Sequence, residues 1–110
     1  MQLQVFIEDE VKPVEVPEYV ASEGEEFFAK MDADMDGGWQ MSRTWVEQPN
    51  QVQRCQIAAD RLLAALEAGD EPMTMLMAGY IVTRLPGVSA VRVDSSGDMM
   101  GTEFVEAQSR

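Results

Sequence analysis

The sequence predicts an α+β fold in a single domain spanning residues 1–110. The N-terminal stretch alternates polar and apolar residues as strands do, the centre repeats apolar residues at helical spacing, and the last quarter alternates again around a turn. With 110 residues, of which 45% are hydrophobic, the chain can bury one core. We therefore expect three helices, two of them in an antiparallel hairpin, and a small sheet joining the N-terminal strand to a C-terminal β-hairpin.

Two segments near the N-terminus carry the patterns of β-structure. Residues 2–7, QLQVFI, alternate and then become apolar, which predicts a strand. Residues 11–20 alternate valines with polar residues, but Pro13 and Pro17 cannot donate ladder hydrogen bonds. We therefore expect residues 11–20 to run extended at an edge of the sheet.

The chain then changes to helical patterning. Ser22 and Glu25 fit a capping box, in which each side chain bonds the other residue's backbone, so a short helix over residues 22–33 is predicted. Residues 39–49 fit a short helix or a strand equally well before Pro49 ends the segment. We expect the two tryptophans, Trp39 and Trp45, in the core.

The clearest helix begins after Asn50, a suitable N-cap, and ends at Gly69, a favoured C-terminal residue. Its predicted buried face consists of Val52, Cys55, Ala59, Leu62, Leu63 and Leu66. Asp70 can cap the next helix, and the short link makes the two an antiparallel hairpin. Residues 72–85 are apolar on nearly every side, which predicts that they lie centrally or are covered by a protein partner, such as a second copy in a homodimer.

The C-terminal segment has the signals of a β-hairpin over residues 88–107. Residues 88–94, VSAVRVD, alternate like a strand, and residues 95–98 have the composition of a turn. Residues 99–107 are the expected return strand.

The net charge of −12 limits the classes of partner. Residues 1–36 carry eleven acidic residues and two lysines, whereas residues 37–110 carry nine acidic residues and six arginines. Contact with nucleic acid or with an anionic membrane surface requires the opposite sign, so neither is expected. The field favours cations or a basic partner protein, although acidic side chains also simply keep a protein in solution.

Histidine is absent and Cys55 is the only cysteine. Nucleophile pairs that use histidine are therefore excluded within one chain, and so is an internal disulfide. We expect Cys55 in the core and the protein in the cytoplasm, because the N-terminus lacks the pattern of a signal peptide and no apolar run reaches the length of a membrane span. Enzymatic activity is not expected.

One stretch has a specific chemical meaning, MDADMDGGWQMSR, residues 31–43. Its residues 32–43 resemble the calcium-binding loop of EF-hand proteins, which offers oxygens at alternate positions and turns sharply at a glycine, here Gly37. The upstream helix resembles the entering helix of that family. The resemblance implies a calcium ion held by Asp32, Asp34, Asp36, Gly38 and Gln40.

Position 12 departs from the family, because Arg43 stands where the family has a bidentate glutamate. Three interpretations stay open: calcium binds through the remaining oxygens, the segment is an acidic turn in which Arg43 folds back as an internal counter-ion, or the loop holds another cation or has another role. The sequence accordingly predicts a non-catalytic interaction or scaffold protein, with a calcium-binding module as the alternative.

Overall fold

The computed structural model describes residues 1–106, and the fold is α+β as predicted. In chain order the elements are β1 (Gln2–Ile7), β2 (Glu10–Glu15), α1 (Glu18–Glu23), α2 (Glu25–Asp36), β3 (Trp39–Met41), β4 (Thr44–Val46), α3 (Gln51–Ala68), α4 (Glu71–Arg84), β5 (Val88–Val93), a 3-10 helix (Met99–Gly101) and β6 (Glu103–Glu106). The described residues contain four α-helices, so the expected number of three is wrong. The predicted return strand over residues 99–107 is confirmed only over Glu103–Glu106, because Met99–Gly101 form the 3-10 helix, and residue 107 lies outside the described residues.

The main sheet has the strand order β2-β1-β5-β6. Strand β1 pairs antiparallel with β2 and parallel with β5, while β6 pairs antiparallel with β5. The N-terminal strand therefore joins the C-terminal hairpin, as predicted. A bulge between Val88 and Ala90 shifts the register, so that Val88, Val91 and Val93 all turn buried side chains toward the helices.

Strand β2 lies at one edge of the sheet, where Pro13 costs no interior ladder bond. The predicted extended segment is confirmed only as far as Glu15, because α1 begins at Glu18. Pro17 is the N-cap of α1 and has a φ of −61°. A proline is well suited to the start of a helix, because its missing N–H would have no helical partner there.

The predicted helix over residues 22–33 is wrong at both ends. Ser22 lies inside α1, where its hydroxyl donates to the Tyr19 carbonyl. The helix is interrupted at Gly24, and α2 then runs from Glu25 to Asp36. A Cβ at Gly24 would lie 2.6 Å from the Val20 carbonyl oxygen. It would also lie 3.0 Å from Phe28 Cζ in α2, so the turn from α1 into α2 leaves room only for glycine at this position.

Helices α3 and α4 form the predicted antiparallel hairpin. Asn50 and Gln53 build a capping box at the start of α3, and Gly69 ends it with a left-handed φ of 71°. The Gln51 side chain, at the start of α3, donates to the Arg84 carbonyl at the end of α4, which fixes the antiparallel arrangement. Asp70 caps α4 by accepting from the Met73 amide.

Helix α4 is apolar because its own chain covers it. Met77, Tyr80 and Ile81 are fully buried and pack into the same core as Leu3 and Val91 of the sheet. This part of α4 is therefore not exposed as the dimer face that the sequence left open. No helix within residues 1–106 has both the length and the apolar character needed to cross a membrane.

The segment 39–49 contains a small hairpin of β3 and β4, which decides between the helix and the strand that the sequence allowed. Trp39 packs partly buried against the core, but Trp45 is 55% exposed, so the expectation of a core position for Trp45 is wrong. The Trp45 ring lies over Gly38, where a Cβ would approach within 2.4 Å of the indole. Gly38 has a φ of 104°, so both its space and its conformation require glycine.

Candidate functional site

The three aspartates of the predicted calcium loop lie on helix α2. Because a helix turns by about 100° per residue, Asp34 points to a different side from Asp32 and Asp36, which lie one turn apart. The helix ends at Asp36, and strand β3 follows after two glycines, where an EF-hand would have its exiting helix. The backbone of this segment therefore differs from the loop that the sequence resembles.

Asp32 is the centre of a group of polar side chains that joins α2 to the α3–α4 hairpin. Its Oδ1 accepts a short hydrogen bond from the Tyr80 hydroxyl, and its Oδ2 accepts from Nε and Nη2 of Arg84 at 3.2 and 3.0 Å. Arg54 Nη1 donates to the Asp32 carbonyl oxygen at 3.1 Å and lies 3.5 Å from Oδ1. We call Asp32, Arg54, Tyr80 and Arg84 the Asp32 cluster.

Each arginine of the cluster has a second acidic partner. Arg84 donates to both carboxylate oxygens of Glu25 at 3.0 and 3.1 Å, and Arg54 donates to Asp36 at 2.7 Å. The Arg84 guanidinium also lies 5.6 Å above the Phe28 ring centre, within cation–π range. Both arginine side chains are only 15% exposed, but Glu25 and Asp36 are well exposed, so solvent screens these two outer pairs more than the pairs that the arginines form with Asp32.

The pKa shifts in the cluster favour a charged Asp32 and a neutral Tyr80. Burial alone would raise the pKa of Asp32, but hydrogen bonds from Tyr80, Arg84 and Arg54 outweigh burial and lower it. Burial first, and then the neighbouring Asp32 carboxylate, raise the pKa of Tyr80. At neutral pH Asp32 is therefore an anion and Tyr80 a neutral donor, which is the arrangement that holds α2 against α4.

Cys55 lies beside this cluster and is fully buried, which confirms its predicted core position. Burial is the largest cause of a rise in the pKa of its thiol to about 12. A thiol of this pKa is protonated at neutral pH and is a poor nucleophile.

The remaining residues of the predicted calcium site have other contacts. The Gly38 amide donates to the Met35 carbonyl, and the Gln40 side chain donates to the Ser42 carbonyl at 3.0 Å. Arg43 lines a polar recess beside residues 96–98, and the counter-ions of Asp32 are Arg54 and Arg84. Within residues 1–106, no three carboxylates or thiols converge in a way that could hold a metal ion, and calcium binding stays a prediction.

A second region, at the β6 edge of the sheet, has a groove of about 610 Å³ between the start of α3 and strand β6. Its apolar lining includes Val52, Leu85, Val88 and Phe104, with Glu103 and Glu106 among the lining residues from β6. We call this region the β6 groove. Val52 is 46% exposed, so its predicted core position is wrong.

The sequence pattern did not reveal the β6 groove. Helical periodicity places Val52 on the apolar face of α3. At the start of the helix, however, the packed core of the described residues does not cover this face, and Val52 is 46% exposed.

Comparisons with known proteins give no assignment: no family model matches the chain, and neither the curated proteins nor the solved structures include a significant match.

Proposed function

We propose that this protein is a non-catalytic interaction protein whose acidic surface binds a basic partner protein. The observation that carries the proposal is the number of acidic residues that form no ion pair in the part of the chain that the structure describes. The ion pairs within residues 1–106 involve six of the twenty acidic residues, namely Glu10, Glu15, Glu25, Asp32, Asp36 and Glu103.

The other fourteen acidic residues have no lysine or arginine nitrogen within 4.0 Å among the described residues. Charge of one sign over a surface attracts partners of the opposite sign and speeds their association. A basic protein surface is the partner that gains most from this field, whereas nucleic acid and anionic membranes are repelled.

The directions of the pKa shifts support a non-catalytic role. General acid–base chemistry near neutral pH needs carboxylates with raised pKa values or thiols with lowered ones. The opposite holds here, because the pKa of Asp32 is lowered and the pKa of Cys55 is raised to about 12. The cytoplasm remains part of the proposal, since the lone cysteine, Cys55, suits a reducing compartment.

The proposal is tested by selecting random peptides displayed on phage against the immobilised protein at low salt. We expect enrichment of sequences rich in lysine and arginine, whose affinity, measured by calorimetry, falls as salt is raised. Enrichment of neutral or acidic peptides alone, or no enrichment, would overturn the proposal. Supercharged acidic proteins of similar size serve as controls for charge without specific shape.

A further inference from the structure

We propose that the β6 groove binds an extended basic segment of the partner protein, which adds a strand to the free edge of β6. This inference rests on the proposed function, because it states where the basic partner binds and in which conformation. It is independent of the Asp32 cluster, whose groups already bond one another.

The free edge of β6 provides the backbone part of the site. Within residues 1–106, β6 pairs with β5 on one side only and is the last strand of the sheet. Such an edge presents N–H and C=O groups to which another strand can bond. The opposite edge differs, because β2 carries Pro13, which lacks an N–H, and Lys12, a charge that discourages pairing.

The groove provides the side-chain part of the site. Val52 of α3 is 46% exposed, and with Leu85 and Phe104 it leaves an apolar surface directly beside β6. Side chains of an added strand point alternately to its two faces. Every second residue of the bound segment would therefore enter the groove, and apolar residues fit these positions.

The charges beside the groove select the occupant. Glu106 has no basic partner among the described residues, and the pair between Glu103 and Arg92 is well exposed and therefore weak. Glu103 and Glu106 are three residues apart in β6, so their side chains point to opposite faces, Glu106 on the face of Phe104 and Glu103 on the other. Lysine or arginine at the alternate positions of the added strand would therefore meet Glu103, while Glu106 adds negative charge at the groove itself. A second copy of the chain is a poor occupant, because two molecules with a charge of −12 each repel one another.

The length of β6 sets the length of the segment. Strand β6 has four residues, so a bound segment needs about four to seven residues in extended form, at roughly 3.3 Å per residue. The ligand predicted by the structure is therefore a short stretch in which apolar and basic residues alternate.

The test uses a fluorescein-labelled peptide, KVKVKVK, and its binding to the whole protein measured by fluorescence anisotropy. Val52→Lys places a positive charge in the groove, and Val11→Lys adds the same charge on β2, at the opposite edge. Both valines are exposed, at 46% and 48%, so both variants should fold, which urea unfolding checks. We expect Val52→Lys to weaken binding about tenfold or more and Val11→Lys about twofold or less.

A second peptide tests the strand pairing itself. N-methylation of alternate residues of KVKVKVK removes the N–H groups on one edge but keeps the charge, and methylated versions in both registers are compared. We expect one register to lose binding about tenfold. Equal affinity of all three peptides would overturn strand addition.

Three further outcomes would overturn the inference: equal weakening by the two lysine variants, absence of binding at about 1 mM peptide, or a dimer of the protein alone that Val52→Lys dissociates. The failure of the β6 site can be distinguished from the failure of the proposed function. If phage selection yields basic peptides whose affinity is unchanged in Val52→Lys, the protein binds basic partners elsewhere, and only the β6 site is wrong.

Discussion

The Asp32 cluster and the β6 groove differ in how completely their groups are satisfied. In the cluster, the carboxylate of Asp32 receives bonds from Tyr80, Arg54 and Arg84, and no buried side-chain polar atom among the described residues lacks a partner. In the groove, Val52 is 46% exposed, and no strand within residues 1–106 lies beside the outer edge of β6. Groups that bond one another hold a fold together, whereas groups left without partners are available for binding.

The aspartates of helix α2 are likewise of two kinds. Asp32 and Asp36 neutralise arginines of the α3–α4 hairpin, while Asp34, between them on the same helix, has no such partner among the described residues. A run of aspartates that looks uniform in the sequence therefore divides into residues that stabilise the fold and a residue that contributes to the surface charge.

Among the substitutions, Asp32→Asn should destabilise the protein most. The change keeps the shape but removes the charge that Arg84 and Arg54 share, and we expect the free energy of unfolding to fall by about 2–3 kcal/mol. Asp34→Asn is the matched control, with an expected change within about 0.5 kcal/mol. Urea unfolding followed by tryptophan fluorescence measures both, and equal effects of the two substitutions would contradict a special role for Asp32.

A smaller loss is expected from Gly79→Ala, which tests how closely α4 packs against α1 and α2. A Cβ at Gly79 would lie 2.8 Å from Val20 Cγ1 and 3.1 Å from Phe28 Cζ, both in the core. We expect a destabilisation of about 1–2 kcal/mol after the gain in helix propensity. Gly37→Ala, where a Cβ meets no atom within 4 Å, should leave stability unchanged or raise it by about 0.5 kcal/mol.

The pH dependence of stability provides a finer test of the cluster. The folded pKa of Asp32 is below its ordinary value of 3.8, so its contribution is fully present above that value and is lost as the pH falls toward the folded pKa. We expect the wild type to lose stability more steeply below about pH 4 than Asp32→Asn does. Parallel pH profiles for the two proteins, from thermal melting, would show that Asp32 titrates alike in the folded and unfolded chains.

The smallest expected effect is that of calcium. A metal bound only by the folded protein raises its stability by RT ln(1 + [L]/Kd). Since Asp32 is already bonded by two arginines and Tyr80, we expect no change in melting temperature at millimolar calcium, measured against magnesium as a control. A calcium-specific rise that Asp32→Asn and Asp34→Asn both abolish would instead establish the EF-hand-like reading.

The parts of the fold that follow local signals could be predicted from the sequence. Asn50, Gly69 and Asp70 mark the ends of the helical hairpin correctly, since caps depend on a few neighbouring residues. The break at Gly24 was missed, because Ser22 and Glu25 also satisfy a capping pattern and only the packing of α1 against α2 decides between them.

The candidate sites depend on contacts between distant residues, which local patterns do not contain. Asp32 meets Arg84 across 52 positions of the chain, and α2 continues to Asp36 although the composition of this segment suggests a turn. Similarly, periodicity assigns Val52 to the apolar face of α3 but cannot show that the described residues leave this side chain 46% exposed.

The separation of folding from binding is tested most directly by measuring Asp32→Asn and Val52→Lys side by side, for urea unfolding and for binding of the KVKVKVK peptide at a temperature at which both are folded. We predict that Asp32→Asn lowers the unfolding midpoint and leaves the peptide Kd within about twofold, while Val52→Lys does the reverse. If each substitution changes both quantities alike, the two regions are not separate and the account is contradicted.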